Sequence, residues 1–104
     1  SGFLRKAKDS KLGMYKLKYV EVRPGVMLYS TDPVDIDNPK RSSRIEFDSR
    51  TYDCVTVDTD KWFGQKEWVF SVRNTAQRGS RRLWKASSEE ERQAWMDAVE
   101  QSVL

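Results

Sequence analysis

Residues 87–104 constrain this chain more than any other stretch, because they carry its one strong helix signal. Ser87 with Glu90, or Ser88 with Glu91, makes a capping box in which side chains satisfy the orphan backbone N–H groups of the first turn. Glu89, Glu90 and Glu91 place negative charge where the positive end of the helix dipole favours it. Trp95, Val99 and Val103 recur every fourth residue with Ala98 between them, which is one apolar stripe. A single amphipathic helix cannot bury such a stripe alone, so it must close onto whatever the other residues build, with Trp95 as its core anchor.

The residues before it read as strands. Alternation and Val, Tyr and Phe content predict strands over 2–8, 14–22, 26–30, 44–48, 52–57, 67–72 and 81–86. Arg23-Pro24-Gly25 is a tight turn. Residues 32–43 form a long loop, 58–66 a loop carrying Trp62 and Phe63, and 74–80 a polar turn with Gly79. Trp62 and Phe63 serve either partner binding or a small satellite core under their loop. Seven short strands followed by one helix describe an α+β chain, mainly β: a seven-stranded antiparallel barrel capped by one C-terminal α-helix. With 104 residues, the expectation is a single domain over 1–104. Its start at Ser1-Gly2, without methionine, reads as a domain excised from a larger protein and monomeric in isolation.

Several functions are excluded by what the chain lacks. It has no histidine, so no imidazole base. It shows no Gly-rich phosphate loop leading into a helix and no metal-ligand spacing. No enzyme, cofactor or metal is therefore expected. Cys54 is the one cysteine, which rules out an internal disulfide and points to a reducing compartment. Its place in an apolar strand reads as a buried small hydrophobe. No apolar run reaches transmembrane length, and no signal peptide is visible. Tyr15, Tyr19 and Tyr29 lie among basic residues without the adjacent basic-aromatic repeats of a nucleic-acid platform, so no nucleic-acid partner is expected.

Charge is arranged in blocks. The net charge is +3, but residues 1–23 carry +5 and 61–87 carry +6, while 32–60 and 88–104 carry −4 each. The two basic blocks make either a patch for an anionic partner or ordinary solvated strand faces. Alternation puts Leu4, Lys6 and Lys8 on one face of the first strand. It puts Met14, Lys16, Lys18, Val20 and Val22 on one face of the second. A hairpin centred near Lys11 sets Lys6 opposite Lys16 or Lys18. Like charges directly opposite destabilise a strand pair, which suggests an external anion as countercharge. The alternative is that the ammonium groups splay into water on flexible stems.

The order of elements, the opening Gly2-Phe3-Leu4-x-Lys6 and the single tryptophan midway along the C-terminal helix resemble a pleckstrin-homology (PH) domain over essentially the whole chain. The resemblance implies phosphoinositide headgroups at an anionic membrane surface as ligand. It also implies a peripheral, cytoplasmic location at the inner face of membranes. Family members that bind these lipids carry a lysine near the end of the first strand and a basic-x-arginine pair in the second. Lys6 and Lys16-Leu17-Lys18 correspond, with Lys18 where the motif has arginine. Tyr29 resembles a tyrosine pointed at the headgroup, and Arg41 a phosphate-binding loop arginine. Asp32, Asp35 and Asp37 in that same loop oppose an anion. Lys8, Lys11, Arg78 and Arg82 are expected at the membrane-facing rim, and Arg78, Arg81 and Arg82 read equally well as a solvated turn. The alternative function is a protein–protein interaction module on the same scaffold with no lipid pocket.

Overall fold

The structure, a computed structural model, describes residues 1–8, 13–59 and 67–103. The strands are β1 (Gly2–Ala7), β2 (Tyr15–Arg23), β3 (Val26–Ser30), β4 (Ser42–Glu46), β5 (Tyr52–Val57), β6 (Trp68–Asn74) and β7 (Arg82–Ala86). A single 3₁₀ turn, Pro33–Asp35, lies between β3 and β4, and the helix α1 spans Glu89–Ser102. The strands form one antiparallel sheet in the order β4-β3-β2-β1-β7-β6-β5. The sheet curls, so that Asn74 Nδ2 on β6 donates to the Glu46 carbonyl on β4 at 2.7 Å. The helix packs on β2, β5, β6 and β7.

The period-2 pattern fills the interior. Leu4, Val20, Met27, Tyr29, Ile45, Phe70, Val72 and Trp84 point inward and join Val99 of α1 in one core cluster. The sequence expectation gave the anchoring role to Trp95, but Trp84 and Phe70 are the largest fully buried side chains. Trp95 is half-buried at the flank of that cluster. A Cβ built on Gly2 would lie 3.3 Å from Trp95 Cζ2, so the start of β1 comes close to the indole because residue 2 has no side chain.

Of the two capping boxes, the chain uses Ser88, whose Oγ accepts from the Glu91 N–H at 3.1 Å. Ser87 Oγ donates to the Glu91 carboxylate instead of serving as the cap. The turn at Gly25 (φ 73°) is tied to the other end of the helix. Its N–H donates to the Ser102 carbonyl at 2.7 Å, and its own carbonyl accepts from the Phe47 N–H at 3.0 Å. The positive φ makes glycine the residue for this position.

The fourth strand begins two residues earlier than its β-propensity indicates, at Ser42 instead of residue 44. The Ser42 N–H and Oγ both donate to the Asn38 carbonyl, at 2.9 and 2.8 Å. That turn delivers Ser42 and Ser43 opposite Ser30 and Tyr29. Pairing with β3 overrides their weak local preference. At the far end Phe47 leaves the ladder and is buried. Asp48 then caps the next turn by accepting from the Arg50 N–H at 2.8 Å.

Candidate functional site

The β1–β2 register sets Lys6 opposite Lys16 and Leu4 opposite Lys18. The three lysines therefore share the face whose deeper positions, Leu4 and Val20, are in the core. Lys6 Nζ donates to its neighbouring Ala7 carbonyl at 3.3 Å and lies 5.8 Å from the Tyr29 ring centroid. Tyr29 is 7% exposed and meets Trp84 edge-on at 5.1 Å. Its hydroxyl accepts from Arg82 Nε at 3.1 Å. Arg82 Nη1 also donates to the Gly79 and Arg81 carbonyls, at 2.7 and 3.0 Å. Lys18 Nζ donates to Thr31 Oγ1 at 2.9 Å, and Lys16 is exposed. Tyr29 thus gathers a cation from β1 and one from β7, beside the two on β2.

Arg82, expected at the rim, reaches the Tyr29 hydroxyl. Arg41 is exposed; its backbone N–H closes the loop onto the Asn38 carbonyl at 3.0 Å, and its side chain makes no hydrogen bond or ion pair among the described residues. Lys8 is exposed at the end of β1, and Arg78 and Arg81 are exposed in the β6–β7 turn. Lys11, Trp62 and Phe63 lie outside the described residues.

The acidic loop is engaged elsewhere. Asp32 caps the 3₁₀ turn by accepting from the Val34 N–H at 3.1 Å. Asp37 accepts from Arg23 Nη1 at 2.6 Å. Arg23 also donates through Nε and Nη2 to Glu21 Oε2, at 3.0 and 2.6 Å, and Glu21 Oε1 accepts from the Tyr19 hydroxyl at 2.9 Å. The Arg23 guanidinium holds the Glu21 and Asp37 carboxyls below the usual carboxylate range. Tyr19, Glu21 and Arg23 occupy the odd positions of β2, on the face opposite Lys16 and Lys18. Neither Arg23 nor Thr31 stands out in the sequence as a site residue. The parity of β2 signals the face of Arg23; nothing local signals its partner.

The outer face of the hairpin is apolar where the inner face is cationic. Phe3 and Tyr19 pair edge-on at 5.5 Å, and Leu17 lies opposite Arg5. Phe3 and Leu17 are each about half exposed (50% and 51%). Beside them Glu67 accepts from the Tyr15 hydroxyl at 2.9 Å and pairs with Lys85 at 3.5 Å. Burial, then the bond to Glu67, push the Tyr15 hydroxyl up to about 12. Two grooves flank these surfaces. One, of about 500 Å³, runs between Val22, Pro24 and the Trp95 side of α1. The other, of about 600 Å³, lies over Phe3, Leu17 and Trp68. Neither is lined by Lys6, Lys16 or Lys18.

Cys54, expected to be buried, is half-buried against the core beneath α1. Burial pushes its thiol up to about 11. The described ion pairs join Arg23 to Glu21 and Asp37, Arg44 to Glu46, Arg73 to Asp53 and Lys85 to Glu67. Among the described residues none involves Lys16, Lys18 or Arg82. No group of His, Cys, Asp and Glu among them could hold a metal ion, and no helix is long and apolar enough to cross a membrane.

Comparison with known proteins adds to this geometry. The family model described as PH domain matches residues 1–104. The fold is similar to the crystal structure of the carboxyl-terminal PH domain of pleckstrin, with a TM-score of 0.65 at 18% identity, covering 99% of this chain and 94% of that one. It is similar also to the PH domain of ArhGAP27, with a TM-score of 0.64 at 20% identity, covering 99% of this chain and 97% of that one. No curated protein sequence matches the chain.

Proposed function

This chain belongs to the PH domain family, non-catalytic modules that bind lipids or proteins, and from that premise we propose that it docks on membranes by recognising phosphoinositide headgroups. Lys6, Lys16 and Lys18 hold ring phosphates, and Tyr29 forms the floor beneath them. Arg82 adds a cation through Tyr29, while Arg41, Lys8, Lys11 and Arg78 contribute diffuse attraction to the anionic surface. On this reading the protein works at the cytoplasmic face of membranes.

The observation that carries this reading is the pairing of charges. Arg23, Arg44, Arg73 and Lys85 each meet a carboxylate. Lys18 and Arg82, in contrast, bond to neutral oxygens of Thr31, Tyr29 and the backbone. Neutral partners leave the positive charge of Lys18 and Arg82 uncancelled, and an anion supplies what the fold withholds. Bonds to charged phosphate contribute roughly 1.5–3 kcal/mol each. Met14, of the same parity as Lys16 and Lys18 and about half exposed, suits the same docking, because an apolar side chain beside lysines matches the boundary between headgroups and acyl chains.

The test is binding to vesicles containing phosphoinositide, against phosphatidylserine vesicles of equal charge, at physiological salt. Preference for the first is expected, together with its loss in Lys18→Ala. Equal, strongly salt-dependent binding to both would reduce the site to a diffuse basic surface. Absence of binding to either would assign the module to a protein partner.

A further inference from the structure

Thr31 is the first residue after β3, and its side chain is exposed. Its hydroxyl oxygen already sits 2.9 Å from the Lys18 ammonium. The residues that follow, Asp32, Pro33 and Val34, are exposed too, whereas neighbouring Ser30 is buried with its hydroxyl donating to the Asp32 carbonyl. Asp32 and Asp35 make the C-terminal flank acidic, while Asp37 further on is paired with Arg23. Thr31 is therefore an accessible hydroxyl whose flank suits an enzyme with a basic substrate groove.

We propose that Thr31 is a phosphorylation site for an acid-directed protein kinase, and that its phosphate closes the lysine cluster to external anions. The inference rests on the reading of that cluster as an anion site. In the modifying step the Thr31 oxygen attacks the γ-phosphorus of ATP and an oxygen–phosphorus ester bond forms. The bond to the bridging oxygen breaks, ADP leaves, and the hydroxyl proton passes to the kinase's base and on to water. The product carries a charge of about −1.5 to −2 and three strong acceptor oxygens. Its tether places them on Lys18 at an effective concentration that a free headgroup must outcompete. Phosphate and ammonium then form a charge-assisted pair within the chain. The acidic flank that discourages an external anion thus guides the enzyme that installs an internal one.

The experiment treats the protein with such a kinase and ATP, locates the phosphate by peptide mass spectrometry, and measures vesicle binding before and after. Phosphate is expected at Thr31, with affinity for phosphoinositide vesicles lowered roughly tenfold or more. Thr31→Val should take up no phosphate at that position, and its treated and untreated samples should bind alike. Thr31→Glu should mimic part of the loss. A protein that is not modified at Thr31, or that binds equally well once modified, would overturn the inference while leaving the membrane reading intact. If the unmodified protein binds no vesicle, the membrane reading fails by itself. The Lys18 side-chain ammonium resonance then decides the switch: a shift on phosphorylation supports capture, and an unmoved signal refutes it.

Discussion

Along the seam between α1 and the sheet, side chains are matched to partners inside the fold. Val99 is fully buried, Trp95 packs toward Gly2, and the Gly25 N–H closes on the Ser102 carbonyl. Close by, Arg23 is shared between Glu21 and Asp37. Along the β1–β2 hairpin the same alternating pattern produces a different surface. Lys16 and Lys18 face outward from the core rim, where Lys18 meets only a threonine hydroxyl among the described residues. The contrast teaches where stability and binding reside. Substitutions along the seam should act on folding and leave ligand preference alone; substitutions at the hairpin should do the reverse.

The largest expected effect is at the seam. Trp95→Ala should destabilise by about 3 kcal/mol, at the low end of tryptophan truncations because the ring is half-buried. For a domain of this size that lowers the thermal midpoint by on the order of 10 °C or more. Vesicle preference of the folded fraction should be retained. A melting curve unchanged from wild type would show that the indole is dispensable to the cap.

Cys54 reports on the same seam. A thiol at about 11 against an ordinary 9.0 presents about a hundredfold less thiolate at pH 8 than the unfolded chain does. Alkylation should accordingly be slow in the native protein and rapid in denaturant. Because folding favours the protonated thiol, this contribution to stability is complete below pH 9 and is lost as pH rises through about 11. Tyr15 and Tyr52, pushed up to about 12 mainly by burial, act in the same sense from about pH 10. Denaturation midpoints followed from pH 8 to 12 should therefore fall steadily, and a flat profile would contradict these environments.

A smaller effect separates the two regions from the other side. Lys18→Ala should weaken binding to phosphoinositide vesicles by roughly tenfold with an unchanged thermal midpoint. Arg82→Gln should weaken it less, because Arg82 is already engaged by Tyr29 and two carbonyls. Calorimetry with a soluble inositol phosphate measures both, and equal losses would argue against a centre at Lys18. The smallest effect belongs to Arg23. Its pair with Asp37, which is 73% exposed, is screened by solvent, so Arg23→Ala should leave the thermal midpoint nearly unchanged.

Much of this protein was legible in its sequence. The 3.6-residue stripe and serine-glutamate cap marked α1, since capping and helix periodicity are local properties. Period-2 alternation marked seven strands and put Lys6, Lys16 and Lys18 on one face, because side-chain parity follows from backbone pleating alone. Even the facing of Lys6 and Lys16 followed from a short hairpin, to within two residues of register. Tertiary structure decided what distant residues share. Arg82 and Tyr29 lie 53 positions apart, and Arg23 and Asp37 lie 14 apart. Their contacts arise because β1 pairs with β7 and because the β3–β4 loop folds back toward β2, neither of which leaves a local pattern. The same holds for the core: Trp84 and Trp95 are equally apolar in sequence, and only closure of the sheet under α1 buries the first fully while leaving the second at the seam.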